Sequence, residues 1–213
     1  QVSGDKGEIV IGENDNQADQ MLTYRDDCYW QFYDSLQLQF PARCLYNHDP
    51  IYGQAGTSLR NALNDEYFRA FLYGCAMRGT AFFELYYTYD MLDEGDKWYI
   101  SSDVLSWAEK GFDTLQHSQR FGGRPGIGET YGYSAWNGAN GILSIRNPGA
   151  ADVNYTIVLD RNIGVTEGIK DVYRSTLLNH KTVDEDEIEN KVQFSYGDTL
   201  TVHLVPGEFR IYE

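Results

Sequence analysis

The pattern of this chain predicts an α/β part joined to an all-β part. The α/β part reads as the closing portion of a (β/α)8 TIM-type barrel over residues 1–118, and the all-β part as an antiparallel β-sandwich over residues 119–213. Three observations predict this. Before residue 120, short apolar runs alternate with stretches of helical period; after it, short strands follow one another, separated by Gly, Asn, Asp and Pro. The segment Phe121-Gly122-Gly123-Arg124-Pro125-Gly126 punctuates the chain between the two rhythms. Residues rich in Asp, Glu, Asn, His and Tyr follow the apolar runs of the first half, where barrels build their active sites.

The elements follow in order. Glu8-Ile9-Val10-Ile11-Gly12 reads as a short, continuously apolar strand, leaving through Glu13-Asn14-Asp15-Asn16-Gln17. Residues 18–39 carry Leu22, Tyr29, Phe32, Tyr33 and Leu36 at roughly helical spacing, and Pro41 ends that helix. Arg43–Tyr46 reads as a second strand, followed by Asn47-His48-Asp49-Pro50-Ile51-Tyr52-Gly53. Asn64 is the N-cap of the clearest helix, with Asp65 and Glu66 in its first turn, an apolar face of Tyr67, Phe68, Phe71, Leu72 and Cys75, and Gly79 as its stop. Ala81–Tyr87 reads as a third strand, and a last helix begins near Ser101 with Val104, Leu105, Ala108, Phe112 and Leu115 inward. Strands then recur at 131–136, 141–146, 155–159, 171–178, 191–196, 200–204 and 208–212. A full eight-fold barrel needs about 250 residues, and the first half holds three strand–helix units. The remainder of the barrel is therefore expected on a companion polypeptide segment, as a partner of this one; the alternative is a small self-contained α/β layer.

Composition narrows the function classes. The chain has 213 residues and a formal net charge of −15, which argues against a nucleic-acid or anionic-membrane partner. No run approaches a membrane span, and the first residues lack the basic segment and apolar core of a signal peptide. Cys28, Cys44 and Cys75 lie far apart, with no CxxC and no Cys/His metal spacing. Buried free thiols, no metal and no cofactor are the expectation. The 17 Tyr and 4 Trp serve either core packing or a carbohydrate cleft in which flat rings stack on sugar faces.

Two strand exits hold carboxyl groups: Glu13 after the first, and Asp49, beside His48, after the second. Glycoside hydrolysis needs two carboxyls flanking the bond, one to attack or activate water and one to protonate the leaving oxygen. Asp before Pro is also a common turn-former, so Asp49 has a purely local alternative. Asp15, His48 and Tyr52 are expected to line the same cleft. Glu84 lies inside an aromatic strand, where it either pairs with Arg78 or accepts sugar hydroxyls. Between the two carboxyls Glu13 is favoured as acid/base, having the longer reach and no proline after it.

The stretch Tyr46–Gly53, then Arg78-Gly79-Thr80, Glu84-Leu85-Tyr86, Gly122–Pro125, Tyr131-Gly132-Tyr133 and Gly141–Pro148, resembles the end of a glycoside-hydrolase barrel. A strand ending in Arg146-Asn147-Pro148 and opening a sandwich is similar to the region after the barrel in melibiase-type α-galactosidases and in relatives acting on α-linked N-acetylgalactosamine. The resemblance covers residues 8–165. It implies a retaining α-glycosidase whose Asp nucleophile stands on an upstream strand, and it favours a secreted or periplasmic setting. The acid/base maps onto Asp49 by one family pattern and onto Glu13 by the other, and the Ser-Asp motif usual around the former is absent. The rival reading is a non-catalytic carbohydrate-binding or scaffold protein that keeps a hydrolase shape.

Overall fold

The computed structural model describes residues 17–47, 51–52, 64–80, 82–83, 85–87, 89–168, 172–181 and 192–213. The strand expected at residues 8–12 lies outside them. Helix α1 (Gln17–Trp30) continues as one π turn, Gln31–Ser35. Its apolar residues divide there: Leu22 and Tyr29 are buried, whereas Phe32 and Leu36 are exposed. The wider turns, Leu36 N–H to Gln31 and Leu38 N–H to Phe32 at 2.8 Å, rotate the later residues off the buried stripe. Gln37, at φ 50°, ends the run short of the expected residue 39.

The strand expected at 43–46 begins later. Pro41, at φ −64° and ψ 150°, opens a 3₁₀ turn over Ala42–Cys44, closed by Cys44 N–H to Pro41 and Leu45 N–H to Ala42. Strand β1 (Tyr46–Asn47) follows, then β2 (Ile51–Tyr52). Cys44 is therefore exposed, contrary to expectation, while Cys28 and Cys75 are buried; none of the three is joined in a disulfide.

Helix α2 (Asp65–Met77) is capped as the sequence predicts: Asn64 accepts from Tyr67 N–H at 2.9 Å. Phe68, Phe71, Leu72 and Cys75 are buried. Gly79 sits at φ +66°, and a Cβ there would lie 2.1 Å from the Leu115 carbonyl oxygen, so only glycine permits this approach. The apolar run after it is divided into β3 (Phe82–Phe83) and β4 (Tyr86–Tyr87), because each half has a different partner. β1 pairs with β3, and β2 with β4, both parallel.

Helices α3 (Tyr89–Leu92), α4 (Lys97–Lys110) and α5 (Phe112–Leu115) follow. α4 starts ahead of Ser101 because Lys97 is tied down. Its ammonium donates to the Asp65 carboxylate at 3.1 Å and to Glu94 O at 3.0 Å, and Asp96 N–H donates to Asp65 at 3.0 Å. Val104, Ala108 and Leu115 are buried, while Phe112 is exposed.

The rest of the described chain is β5 (Gln119–Gly122), β6 (Tyr131–Asn137), β7 (Asn140–Arg146), β8 (Val153–Val158), β9 (Val172–Arg174), β10 (Thr176–His180), β11 (Val192–Phe194), β12 (Thr199–Leu204) and β13 (Phe209–Tyr212). β5 runs into the first two residues of what reads as punctuation in the sequence and ends at Gly122. An antiparallel five-stranded sheet has the order β10-β13-β7-β6-β5, with β8·β12 and β9·β11 as separate antiparallel pairs. The strand expected at 171–178 becomes two. At Ser175 the chain passes from the β9·β11 pair into the five-stranded sheet, exchanging backbone bonds of 3.0 and 2.8 Å with Glu213.

The five-stranded sheet is covered on both faces. Tyr131, Tyr133, Ile142, Phe209 and Ile211 join a core with Leu22, Phe68, Phe71, Ile100, Val104 and Leu115 of the helices. Leu143, Ile145 and Tyr212 join a second core with Ile157, Leu159, Leu200, Val202 and Leu204. Each fully buried side chain of this size contributes about 1.5–3 kcal/mol. The result is three layers: helices, the five-stranded sheet and the β8·β12 pair.

Candidate functional site

The parallel pairs fix a direction. β1 and β3 run the same way in the register Tyr46↔Phe82 and Asn47↔Phe83, and β2 and β4 in the register Ile51↔Tyr86 and Tyr52↔Tyr87. In sequence, His48 and Asp49 come directly after β1, and Glu84 directly after β3. Glu13, Asp15, His48, Asp49 and Glu84 lie outside the described residues, and of Tyr52 only the backbone is described. Asn47, the last residue of β1, is buried at 4% exposure.

The charged groups the structure does bring together form a buried cluster where α1, α2 and the sheet meet. Arg78 Nε donates to Asp26 Oδ1 at 2.8 Å, Tyr133 OH donates to the same oxygen at 2.8 Å, and Tyr131 OH donates to Oδ2. Arg146 Nη1 donates to Tyr131 OH at 3.1 Å and to Thr23 Oγ1 at 2.8 Å. Arg78 is 0% and Asp26 3% exposed. Burial raises the Tyr131 and Tyr133 phenols well above their ordinary value, and the Asp26 carboxylate adds to the rise, so both stay protonated donors. The described partner of Arg78 is thus Asp26, a residue the sequence pattern did not single out. It sits in α1 between polar neighbours and looks like part of a solvated face. Side chains in such a network anchor the helices to the sheet; of them, Arg78 and Tyr133 also reach the larger hollow described below.

A second tie holds the Gly122–Gly126 segment to α1. Arg124 grips the Asp27 carboxylate through Nε at 2.8 Å and Nη2 at 3.2 Å, and Gly126 N–H donates to it at 3.0 Å. Arg124 also lies 4.7 Å from the Trp30 ring centroid. The Arg-Asn-Pro element has a structural explanation as well. Arg146 is held in the buried cluster, while Asn147 Nδ2 donates to Ala151, Val205 and Leu204 carbonyls at 2.9, 3.2 and 3.3 Å and Oδ1 accepts from Gly149 N–H at 3.0 Å. Its side chain stitches the loop after β7 to the loop before β13.

Two hollows remain. One, of about 190 Å³, lies within the sandwich between Trp136, Leu143, Phe194 and Leu200 and is largely apolar. The other, of about 470 Å³, is lined by Tyr33, Asp34, Phe40, Arg43, Arg78 and Arg120, among others. Arg43 precedes β1 and Arg78 precedes β3, so this cleft belongs to the end at which the parallel strands begin, away from the end that leads into His48, Asp49 and Glu84. Nothing in the sequence pattern marks it, because its walls come from segments distant in sequence.

Neither a protein-family model nor a curated protein sequence matches this chain. Among solved structures, it is similar to a protein proposed to be an α-N-acetylgalactosaminidase, from Bacillus halodurans C-125. That match has 12% identity and a TM-score of 0.53, over 97% of this chain and 46% of the other. The chain therefore spans less than half of that protein's length. Isomaltulose synthase of Erwinia rhapontici NX5 matches 55% of the chain and 17% of its own, at 13% identity and a TM-score of 0.34. Trehalulose synthase MutB of Pseudomonas mesoacidophila MX-45 matches the same shares at 14% identity and 0.33. Likeness at those last two scores bears no weight. The first match shows a likeness of fold over nearly the whole of this chain.

Proposed function

We propose that this chain is part of a retaining glycoside hydrolase acting on α-linked galactose or N-acetylgalactosamine. Residues 1–118 are its share of the catalytic barrel and residues 119–213 its sandwich. The observation that carries the reading is the match over nearly the whole chain to part of a protein proposed to be an α-N-acetylgalactosaminidase. The parallel β1·β3 and β2·β4 pairs support it, since a β/α barrel is built from parallel strands.

In this reading the nucleophilic carboxylate comes from the companion segment that supplies the remaining strands. Glu13 or Asp49 protonates the leaving oxygen and then deprotonates the attacking water. His48, Tyr52, Asp15 and Glu84 bind the sugar. The buried Asp26–Arg78 cluster supports the site from beneath by fixing α1 and α2 against the sheet. The test is hydrolysis of aryl α-galactosides and α-N-acetylgalactosaminides by the chain together with its companion segment. Replacing the true acid, by Glu13→Gln or Asp49→Asn, is expected to slow poor-leaving-group substrates by about 10²–10⁴-fold and activated aryl glycosides less at the first step. Sugar binding with no turnover of any α-glycoside would instead favour a carbohydrate-binding protein of hydrolase shape.

A further inference from the structure

We propose that the cleft where the parallel strands begin is a separate binding site for a neutral saccharide, independent of the hydrolase reading. Its volume, about 470 Å³, falls within the range of small-molecule sites, about 300–1,000 Å³. Its lining mixes flat polar side chains (Asp34, Gln39, Gln116 and Gln119) with the rings of Tyr33 and Phe40. Sugars present just these needs: hydroxyls that both donate and accept, and an apolar ring face. Phe40 is 62% exposed, an uncovered ring at the cleft's edge on which a pyranose face can stack.

Two buried polar atoms at the cleft have no hydrogen-bond partner among the described residues: Tyr33 OH and Arg120 Nε. An unsatisfied buried group costs about 1–3 kcal/mol, and native structures keep few of them. A bound molecule that supplies acceptors would satisfy both. Burial pushes the Tyr33 phenol up to about 12, so it stays a donor across the neutral range.

Charge in the enclosed part of the cleft favours a neutral ligand over an anionic one, while Arg43, the further guanidinium of the lining, is exposed at its edge. The two buried guanidiniums are already paired, Arg120 with Asp34 at 2.7 Å and Arg78 with Asp26 at 2.8 Å. Arg120 also donates to the Gly122 and Gly123 carbonyls, which fixes it in place. What the cleft offers is hydroxyl and amide recognition plus a ring face.

The test uses the chain, together with its companion segment where one is needed for folding, with galactose, glucose and galacturonate as probes, followed by calorimetry and saturation-transfer NMR. At least one neutral sugar is expected to bind with Kd of about 1–10 mM. Phe40→Ala is expected to weaken binding about tenfold and Tyr33→Phe about three- to tenfold, without loss of the fold, since Phe40 is a surface ring. Glu13→Gln and Asp49→Asn are expected to leave this binding intact, which separates the cleft from the proposed catalytic end. The proposal is overturned by any of three results: no binding of either neutral sugar, binding unmoved by both cleft substitutions, or preference for galacturonate that disappears with added salt.

Discussion

Asp26→Asn tests whether the buried cluster holds the helices to the sheet. Asp26 Oδ1 accepts from Arg78 Nε and from Tyr133 OH, both at 2.8 Å, and Oδ2 accepts from Tyr131 OH. Asparagine keeps the shape and one acceptor oxygen. It removes the negative charge facing Arg78, which is 0% exposed, and aims an amide N–H₂ at the Tyr131 hydroxyl. Removing one partner of a buried ion pair costs about 3–5 kcal/mol, and the retained oxygen places this change near the lower end, about 3 kcal/mol. For a chain of this size that corresponds to a fall in Tm of about 6–12 °C. Urea unfolding should show it as a lower midpoint at an unchanged m-value. Arg78→Met should cost a similar amount, and the double variant should fall short of the sum by at least about 1.5 kcal/mol. A loss under about 1 kcal/mol for Asp26→Asn, or strict additivity in the cycle, would refute this account of the cluster.

Three further outcomes follow from local geometry. Asn64→Ala removes the acceptor for Tyr67 N–H and should lower stability by about 1 kcal/mol, read as a Tm drop of about 2–4 °C; no change would mean that water replaces the cap. Gly132→Ala places a Cβ 1.9 Å from the Ser144 carbonyl oxygen, which part of the β6·β7 ladder must shift to relieve, so a loss above about 2 kcal/mol or insoluble protein is expected; wild-type stability would contradict the close approach. For Asp27, burial acts to raise the carboxyl, but the N–H donors of Arg124, Gly126 and Gln31 outweigh it and hold the value below the ordinary 3.8. A folded-state value below the unfolded one gives stability that is present above about pH 4 and is lost as pH falls through the folded value. The gap in Tm between the native chain and Asp27→Asn should therefore narrow from pH 7 towards about pH 2, and a constant gap would exclude the Arg124 grip as its source.

The candidate carboxyls were chosen in the sequence as residues that follow apolar runs, and they lie outside the described residues. Their mutual distance was not legible there, because it depends on how far apart two strand exits stand, which periodicity does not encode. The cleft at the other end was not legible at all: Tyr33, Arg43, Arg78 and Arg120 come from four separate segments. Asp26 shows why polar residues are easily misread. In α1 it has the look of a solvated position, and only the approach of Arg78, Tyr131 and Tyr133 turns it into a buried one.

By itself the sequence determined what is local. Asn64 caps α2 because its side chain reaches its own first turn, Gly79 stops it because φ +66° excludes a Cβ, and the alternation of Thr201, Val202, His203 and Leu204 makes β12 a strand with one buried face. Tertiary structure decided everything that depends on a distant partner. It divided residues 82–87 between two parallel neighbours and broke the strand near Ser175 between two sheets. It also left Phe32 and Leu36 exposed where helical spacing alone would bury them. It placed helices against one face of the five-stranded sheet and β8·β12 against the other, so that β6, β7 and β13 are buried on both sides. Hydrogen bonds within a turn are fixed by the residues that make them, whereas the neighbour of a strand, the cover of a sheet face and the partner of a buried charge are chosen only when the whole chain packs.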